Sequence, residues 1–134
     1  AVLSGSSDSS PIHFMRDATR GGIATVLCEL ARYRNIGIRL DESVIPVRES
    51  VKGLCELLGF DPLYVANEGK VVMVVGKADA DQVLAELRKD PLGKDSAIIG
   101  EVVAAHPGKV VLQTEVGGRR IVDMLSGAQL PRIC

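Results

Sequence analysis

The sequence predicts an α+β domain in which helices pack on a mixed β-sheet. Apolar residues recur at helical spacing in three segments, and the other apolar runs have the length of strands. The resulting order is β-α-β-α-β-β-α-β-β-β. Three connections between strands have the composition of hairpin turns, so a mixed sheet fits the pattern better than a doubly wound parallel one.

The N-terminal segment, residues 1–11, contains a Ser-rich run and is interpreted as a linker. Because the chain starts at Ala1 without an initiator Met, we expect it to follow another domain. Residues 12–15 form a short strand candidate. A helix over 21–34 follows from the helical spacing of its apolar residues, which are Ile23, Val26, Leu27 and Leu30.

Alternating apolar residues predict a strand at 36–40. The second helix is predicted from an apolar stripe made of Val51, Leu54, Cys55 and Leu58. Gly59 is placed to cap its C-terminus, and Pro62 prevents its continuation.

Two strands, 63–66 and 71–75, are predicted on either side of a tight turn at 67–69. The second of these is apolar on both faces. A strand of this type is typical of the middle of a sheet that is covered on both sides.

The third helix is predicted to follow Asp79, which forms a capping box pattern with Gln82. Three further strands, 98–105, 109–113 and 119–122, are separated by Pro107-Gly108 and Gly117-Gly118. Residues 12–123 are therefore expected to form one domain, and residues 124–134 a flexible C-terminal tail.

Composition excludes several functional classes. The net charge is -1 and only 3% of residues are aromatic, so neither a basic stripe nor a stacking platform indicates nucleic-acid binding. The longest apolar run is too short to cross a membrane. No signal peptide pattern opens the chain, and the three cysteines form no zinc or disulfide spacing, which is typical of a cytoplasmic protein.

A glycine-containing motif links the first predicted strand to the first helix, and its polar and glycine residues are Arg16, Asp17, Thr19, Arg20, Gly21 and Gly22. Amide groups at a helix start attract anions, and glycines allow a phosphate to approach the backbone. The alternative is a simple connector with Asp17 or Thr19 as the N-cap. The spacing alone does not separate these interpretations.

Glu68 is the candidate base in a second motif, residues 66–70. A glutamate in a tight turn is most often solvated and without a role. A functional interpretation requires that Glu68 lie in a partly buried cleft, where the carboxylate could accept a proton.

Cys134, the last residue, is the candidate nucleophile, because a thiol at the end of a chain can reach more than one site. The alternative is a frayed terminus that ends in an unreactive cysteine. The adjacent α-carboxylate disfavours the thiolate, so a reactive Cys134 needs a base or a positive pocket. Cys28 and Cys55 are interpreted as packing residues.

Three motifs together resemble a known family: residues 15–24 (MRDATRGGIA), residues 65–70 (VANEGK) and residues 131–134 (PRIC). Their order and spacing resemble the C-terminal half of the HypE family of hydrogenase maturation proteins. This family lies within the aminoimidazole ribonucleotide synthetase-like superfamily. Ala18 departs from the family pattern, which has Pro at this position.

The resemblance implies a PurM-like α+β C-terminal domain that is joined to an N-terminal ATP-binding domain outside this chain. It also implies that the terminal cysteine receives a carbamoyl group from the partner HypF. ATP-driven dehydration then gives a thiocyanate, and the cyanide passes to iron on the HypC–HypD complex. Mg²⁺ is expected to accompany ATP. A full-length homodimer and a monomeric, inactive fragment are also expected.

By resemblance, Cys134 is the carrier and Glu68 is the base or the group that orients the thiol. The 16–22 motif is expected to line the nucleotide cleft. Two other functional classes stay open, namely another kinase or synthetase domain of the same superfamily and a non-catalytic module that docks partners.

Overall fold

The computed structural model describes residues 2–5, 11–66 and 69–124. Within these ranges the chain forms one seven-stranded sheet and three α-helices. The elements in chain order are β1 Val2–Gly5, β2 Ile12–Asp17, α1 Gly22–Arg34, β3 Gly37–Asp41, α2 Glu49–Leu58, β4 Val71–Gly76, α3 Ala80–Lys89, β5 Ile98–Val103, β6 Val110–Gln113 and β7 Arg119–Val122. A 3-10 turn, Pro62–Tyr64, precedes β4 and is named the Pro62 turn.

The sheet has the strand order β2-β4-β1-β5-β3-β6-β7. The pairs β1–β4, β1–β5 and β3–β6 are parallel. The pairs β2–β4, β3–β5 and β6–β7 are antiparallel. The predicted α+β class with a mixed sheet is therefore confirmed.

Both faces of β4 are covered, as its doubly apolar sequence predicted. Successive side chains of a strand point to opposite faces. Val72 and Val74 pack in the large cluster around α1, whereas Met73 and Val75 pack with Ala80 and other residues of α3. The helices α1 and α3 therefore lie on opposite faces of the sheet.

The main core is aliphatic and lies between α1 and the sheet. Leu27 of α1 and Ile38, Leu40, Ile99 and Leu112 of the strands are completely buried. Among the described residues, no polar or charged residue falls in the buried class. Burial of each large aliphatic side chain stabilises the fold by roughly 1.5–3 kcal/mol.

The predicted helices are confirmed, with one difference at a cap. The first helix begins at Gly22, one residue later than predicted. Gly59 has φ 73° and ends α2, as its position indicated. Asp79 is the N-cap of α3 but makes no side-chain cap bond, so the predicted capping box does not form. The reason is its αR backbone, since a capping side chain needs an extended N-cap.

The interpretation of residues 1–11 as a linker is wrong for residues 2–5, which form β1. This strand pairs in parallel with both β4 and β5. Its partners lie some 70 and 96 positions along the chain (Val2 pairs with Met73 and Ile98), and no local pattern reveals such pairing. Residues 6–10 lie outside the described part of the chain.

The predicted strand at 63–66 is also wrong, because the chain forms the Pro62 turn there. The Asp61 side chain accepts a hydrogen bond from the Leu63 amide at 3.0 Å, and Pro62 occupies the first position of the turn. Both features favour a helical turn over an extended strand. The predicted hairpin with β4 therefore does not exist, and its tip, residues 67–68, lies outside the described ranges.

Of the two remaining predicted hairpins, only β6–β7 is confirmed. It closes with a bond from the Thr114 amide to the Gly118 carbonyl at 2.8 Å. The strands β5 and β6 are not neighbours, because β3 inserts between them. A turn sequence fixes a local change of direction, and it does not determine which strand becomes the partner.

Candidate functional site

Four of the six residues predicted in the glycine-containing motif line one pocket. It has a volume of about 350 Å³ and lies where β2 ends and α1 begins. The side chains around it belong to Arg16, Asp17, Thr19, Arg20 and Val26. This volume is at the lower end of the range of small-molecule sites.

The polar groups of this pocket are partly engaged with one another. Arg16 forms an ion pair with Glu29 of α1. The Thr19 hydroxyl donates to Asp17 Oδ1 at 2.6 Å. Arg20 is exposed and has no hydrogen bond or ion pair with any of the described residues. Arg20 is therefore the cation available to an anion here, although the nearby Asp17 carboxylate opposes anion binding.

The prediction that Asp17 or Thr19 is the N-cap is wrong, although the motif does connect β2 to α1. The N-cap of α1 is Gly21, which has a left-handed backbone with φ 67°. The first turn of α1 contains no acidic residue. The partial positive charge of the helix start is therefore not neutralised by a carboxylate of its own first turn.

Gly22 begins α1 against the backbone of the Pro62 turn. It has φ 66°, and a Cβ atom at this position would lie 2.3 Å from the Leu63 carbonyl oxygen and 2.8 Å from that of Val65. Both the left-handed backbone and the absence of space require glycine. The structure therefore explains this glycine by helix-to-turn contact.

The first and second motifs meet in the structure. The Ala18 amide donates to the Lys70 carbonyl oxygen at 3.1 Å, directly beyond the β2–β4 register in which Asp17 faces Val71. Glu68 itself lies outside the described residues. Its motif is nevertheless joined to the glycine-containing motif by a backbone hydrogen bond.

A larger groove, of about 1690 Å³, borders the second motif, and no sequence pattern predicted it. Its lining residues include Gly69, Lys70, Ile23 of α1 and Met73 of β4. Gly69 and Lys70, the described end of the Glu68 motif, are exposed residues that line this groove.

The helix α2 contributes Val51 to this groove, and its apolar face is largely uncovered. Val51, Leu54 and Leu58 are 40%, 56% and 54% exposed, and Cys55 is the one buried residue of this helix. The amphipathic pattern predicted this face correctly. It gave no sign that the face is left open within the described part of the chain.

The two described cysteines are packing residues, as predicted. Cys28 and Cys55 are both buried. Burial raises the pKa of Cys28 to about 11, with Arg32 acting in the opposite direction, and the thiol donates to the Val122 carbonyl at 3.2 Å. A thiol with this pKa is protonated at neutral pH and is a poor nucleophile.

The predicted carrier, Cys134, lies outside the described residues together with the rest of 125–134. The chain reaches this segment through Asp123 and Met124, which contact α1 and the Pro62 turn. Sequence reasoning missed Tyr64, which makes one of these contacts, because no pattern distinguishes it from a core residue. None of the helices in the described ranges has the length and apolarity needed to cross a bilayer.

The fold and motifs agree with one family. Residues 1–113 match the family of AIR synthase related proteins, C-terminal domain, and the chain belongs to this family. It is 55% identical over 123 residues to the carbamoyl dehydratase HypE of Bradyrhizobium diazoefficiens, and the aligned region covers 92% of this chain and 36% of that protein. It is 52% identical over 123 residues to the carbamoyl dehydratase HypE of Cupriavidus necator, covering 92% and 35%. The chain thus spans about a third of the length of these relatives.

Solved structures of HypE proteins are also similar to this chain. The crystal structure of the hydrogenase maturation protein HypE has a TM-score of 0.87 at 46% identity, covering 92% of this chain and 40% of that one. The structure of HypE in complex with ATP has a TM-score of 0.85 at 46% identity, covering 92% and 38%. The HypE–HypF complex has a TM-score of 0.81 at 44% identity, covering 86% and 37%. The predicted family resemblance is confirmed.

We expect Gly22→Ala to destabilise the domain by about 2–4 kcal/mol, because it combines an unfavourable left-handed backbone with a backbone clash. Gly53→Ala is the matched control. Gly53 lies inside α2, and nothing is within 4 Å of an added Cβ, so this change is expected to stabilise by about 0.5–1 kcal/mol. Urea unfolding measures both, and equal effects would contradict the proposed close contact.

Proposed function

We propose that this chain is the C-terminal part of an ATP-dependent carbamoyl dehydratase that supplies cyanide ligands during maturation of [NiFe]-hydrogenases. The observation that carries the proposal is 52–55% identity, over 92% of the chain, to two proteins with this activity in their names. The hydrogen bond between Ala18 and Lys70 adds physical support, because it joins the two motifs that the reaction would use.

The proposed reaction begins with a carbamoyl group on the Cys134 sulfur. ATP phosphorylates the oxygen of this S-carboxamide, and ADP is released. Phosphorylation converts this oxygen from a poor leaving group into a good one. Removal of the two nitrogen protons then expels phosphate and forms the C≡N bond. The net change is S-carboxamide plus ATP to S-thiocyanate, ADP, phosphate and a proton.

Glu68 is proposed as the base, or as the group that orients the thiol. Glu68 is two positions before Lys70 in the sequence, so the two Cα atoms are at most about 7 Å apart. Gly69 and Lys70 line the large groove. The role as base requires that the Glu68 carboxylate be partly withdrawn from water, because desolvation favours proton acceptance.

The glycine-containing motif is proposed to contribute to the nucleotide site from this domain. The supporting features are the exposed Arg20, the α1 start without an acid, and the pocket between them. The Asp17 carboxylate and the ion pair of Arg16 weaken this pocket as an anion site. Most contacts to ATP are therefore assigned to the part of the enzyme outside this chain, and the chain alone is expected to be inactive.

The described residues do not fit a magnesium site. In the ranges 2–5, 11–66 and 69–124, no group of three His, Cys, Asp or Glu residues could hold a metal ion. Mg²⁺ is therefore expected to arrive with ATP, and no step is assigned to a metal on this domain.

HypF is proposed as the carbamoyl donor, supported by the similarity of this chain to HypE in the HypE–HypF complex. The HypC–HypD complex is proposed as the acceptor of the cyanide. Both assignments concern the full-length protein, for which a homodimer is expected. Its location is expected to be the cytoplasm.

Cys134→Ala is expected to abolish labelling completely, because it removes the sulfur that carries the carbamoyl group. The test uses full-length protein with HypF, carbamoyl phosphate and ATP, followed by intact and peptide mass spectrometry. Wild-type Cys134 should gain a carbamoyl group and then lose water, while the buried Cys28 and Cys55 stay unmodified. A label that survives the substitution contradicts the carrier role, and the absence of any covalent change in wild type favours a docking module. The 134-residue chain alone should not turn over ATP.

Glu68→Gln in the full-length protein is expected to slow dehydration by about 10²–10⁴-fold, the range for loss of a general base. Carbamoylation by HypF should be unchanged, because the donor makes that bond. The rate is measured on carbamoylated protein in a single turnover with ATP. Glu56→Gln, on the exposed surface of α2, is the matched control. Dehydration at the wild-type rate would remove Glu68 from the mechanism.

Arg20→Gln is expected to raise the KM for ATP by about tenfold, because a charge-assisted hydrogen bond to a phosphate is lost. Arg34→Gln at the exposed end of α1 is the control, since it removes the same charge at a site remote from the pocket. ATP kinetics of the two full-length variants provide the comparison. Equal KM values for ATP in both variants would contradict a contact between Arg20 and the nucleotide.

A further inference from the structure

Three side chains from two elements hold the point where the chain leaves β7. The ladder of β7 with β6 ends at Val122, which faces Val110. The Cys28 thiol of α1 donates to the Val122 carbonyl at 3.2 Å. Beyond it, Tyr64 and Arg32 contact Asp123. Residues 122–124 are the root of the C-terminal tail, and this root is fastened to both α1 and the Pro62 turn.

Tyr64 satisfies both backbone groups of one residue of the root. Its hydroxyl donates to the Asp123 carbonyl oxygen at 2.5 Å and accepts from the Asp123 amide at 3.2 Å. The Tyr64 hydroxyl thus makes the backbone hydrogen bonds that a neighbouring strand would make to Asp123 if the β6–β7 ladder continued. Burial raises the pKa of Tyr64 above its usual value, so the hydroxyl stays protonated and can donate at neutral pH.

The contact through Arg32 is weaker than the contact through Tyr64. Arg32 Nη2 lies 3.3 Å from Asp123 Oδ1, and both side chains are more than half exposed. Exposed ion pairs of this type contribute between about 0 and 1 kcal/mol and are screened by salt. The paired hydrogen bonds of Tyr64 involve backbone groups that cannot move away without moving the chain, so they determine the position of the root.

The Pro62 turn is a rigid mount for Tyr64. Asp61 caps the turn and also forms an ion pair with Arg120 of β7. Leu63 is buried in the main core, and its carbonyl oxygen lies against Gly22. The turn therefore contacts the sheet, α1 and the core at once. Its continuation leads to Glu68, only four residues beyond Tyr64.

We propose that Tyr64 is a positioning residue for the thiol carrier: it fixes the root of the tail to the same turn that leads to Glu68. This role rests on the proposed function of Cys134. The ten residues 125–134 can span at most about 33–36 Å. Glu68 is four positions after Tyr64, so chain length limits the distance between their Cα atoms to about 14 Å. A root fixed at Asp123 therefore leaves the sulfur within reach of Glu68 and leaves enough length to extend toward a donor.

The test compares Tyr64→Phe with Tyr33→Phe in the full-length protein. These are the two tyrosines of the chain, and Tyr33 is 85% exposed on α1, so the control removes the same hydroxyl at a remote site. Dehydration of carbamoylated Cys134 is measured in a single turnover with saturating ATP. Carbamoylation by HypF, hydrogen exchange of the Asp123 amide and the urea midpoint are measured on the same samples.

For Tyr64→Phe we expect dehydration to slow by about fivefold, the change that corresponds to loss of one ordinary hydrogen bond. Exchange of the Asp123 amide should accelerate by a similar factor, because the amide loses its acceptor. Carbamoylation by HypF should stay within about twofold of wild type, since that step needs reach and not a fixed root. Tyr33→Phe should match wild type in every measurement.

Two results would overturn the positioning role alone. In the first, the Asp123 amide exchanges faster but dehydration is unchanged. In the second, dehydration and carbamoylation fall together, which indicates a general loss of structure. If wild-type Cys134 carries no carbamoyl group, the proposed function fails and the role of Tyr64 fails with it.

A second pair of variants tests the same contact if Tyr64→Phe folds poorly. Asp123→Pro removes the amide that donates to Tyr64, and proline is compatible with the extended residue that precedes it. Asp123→Ala keeps the amide and removes only the exposed ion pair with Arg32. Slower dehydration in the proline variant alone supports the role, and equal rates in both variants refute it.

Discussion

The contact between Gly22 and the backbone of the Pro62 turn is the constraint on which the rest of the site depends. Because a Cβ atom would lie 2.3 Å from the Leu63 carbonyl oxygen, α1 can begin this close to the turn only with glycine at that position. The turn is then held where Tyr64 can meet the root of the tail and where the chain can enter β4. This approach brings the start of α1 against the Pro62 turn, and Tyr64 in turn contacts Asp123 after β7.

The polar contacts around the site are secondary to this packing. Arg16 with Glu29, Arg32 with Asp123 and Arg120 with Asp61 are surface ion pairs, which individually stabilise by about 0–1 kcal/mol. The aliphatic core between α1 and the sheet contributes far more, at roughly 1.5–3 kcal/mol for each large buried side chain. The ion pairs therefore orient surface side chains, whereas the core and the Gly22 contact determine the position of the backbone.

Local patterns predicted the parts of this fold that local physics determines. Helical spacing located α1, α2 and α3, and the doubly apolar 71–75 run identified a strand covered on both faces. The pattern failed for β1 and for the β5–β6 connection, because strand order depends on partners far along the chain. It failed at 63–66 because Asp61 and Pro62 favour a helical turn over an apolar strand. The glycine-containing motif connects β2 to α1 as predicted, whereas Tyr64 had no sequence signal, since its partner is a backbone group some 59 positions away.

The burial of Cys28 and Cys55 is a physical reason to propose the carrier role for Cys134 and not for either of them. Burial raises the pKa of Cys28 to about 11, and its thiol is used to hold Val122, so this sulfur serves the fold and is not available as a nucleophile. A carrier must instead meet a donor and an ATP-dependent site at different places, which a sulfur inside a close-packed core cannot do. A sulfur on a short segment with a fixed root can do both, because tethering keeps its effective concentration near the millimolar range. Under the proposed function, the precision of such a carrier depends on how firmly the root is held, and the Tyr64 hydroxyl holds both backbone groups of Asp123.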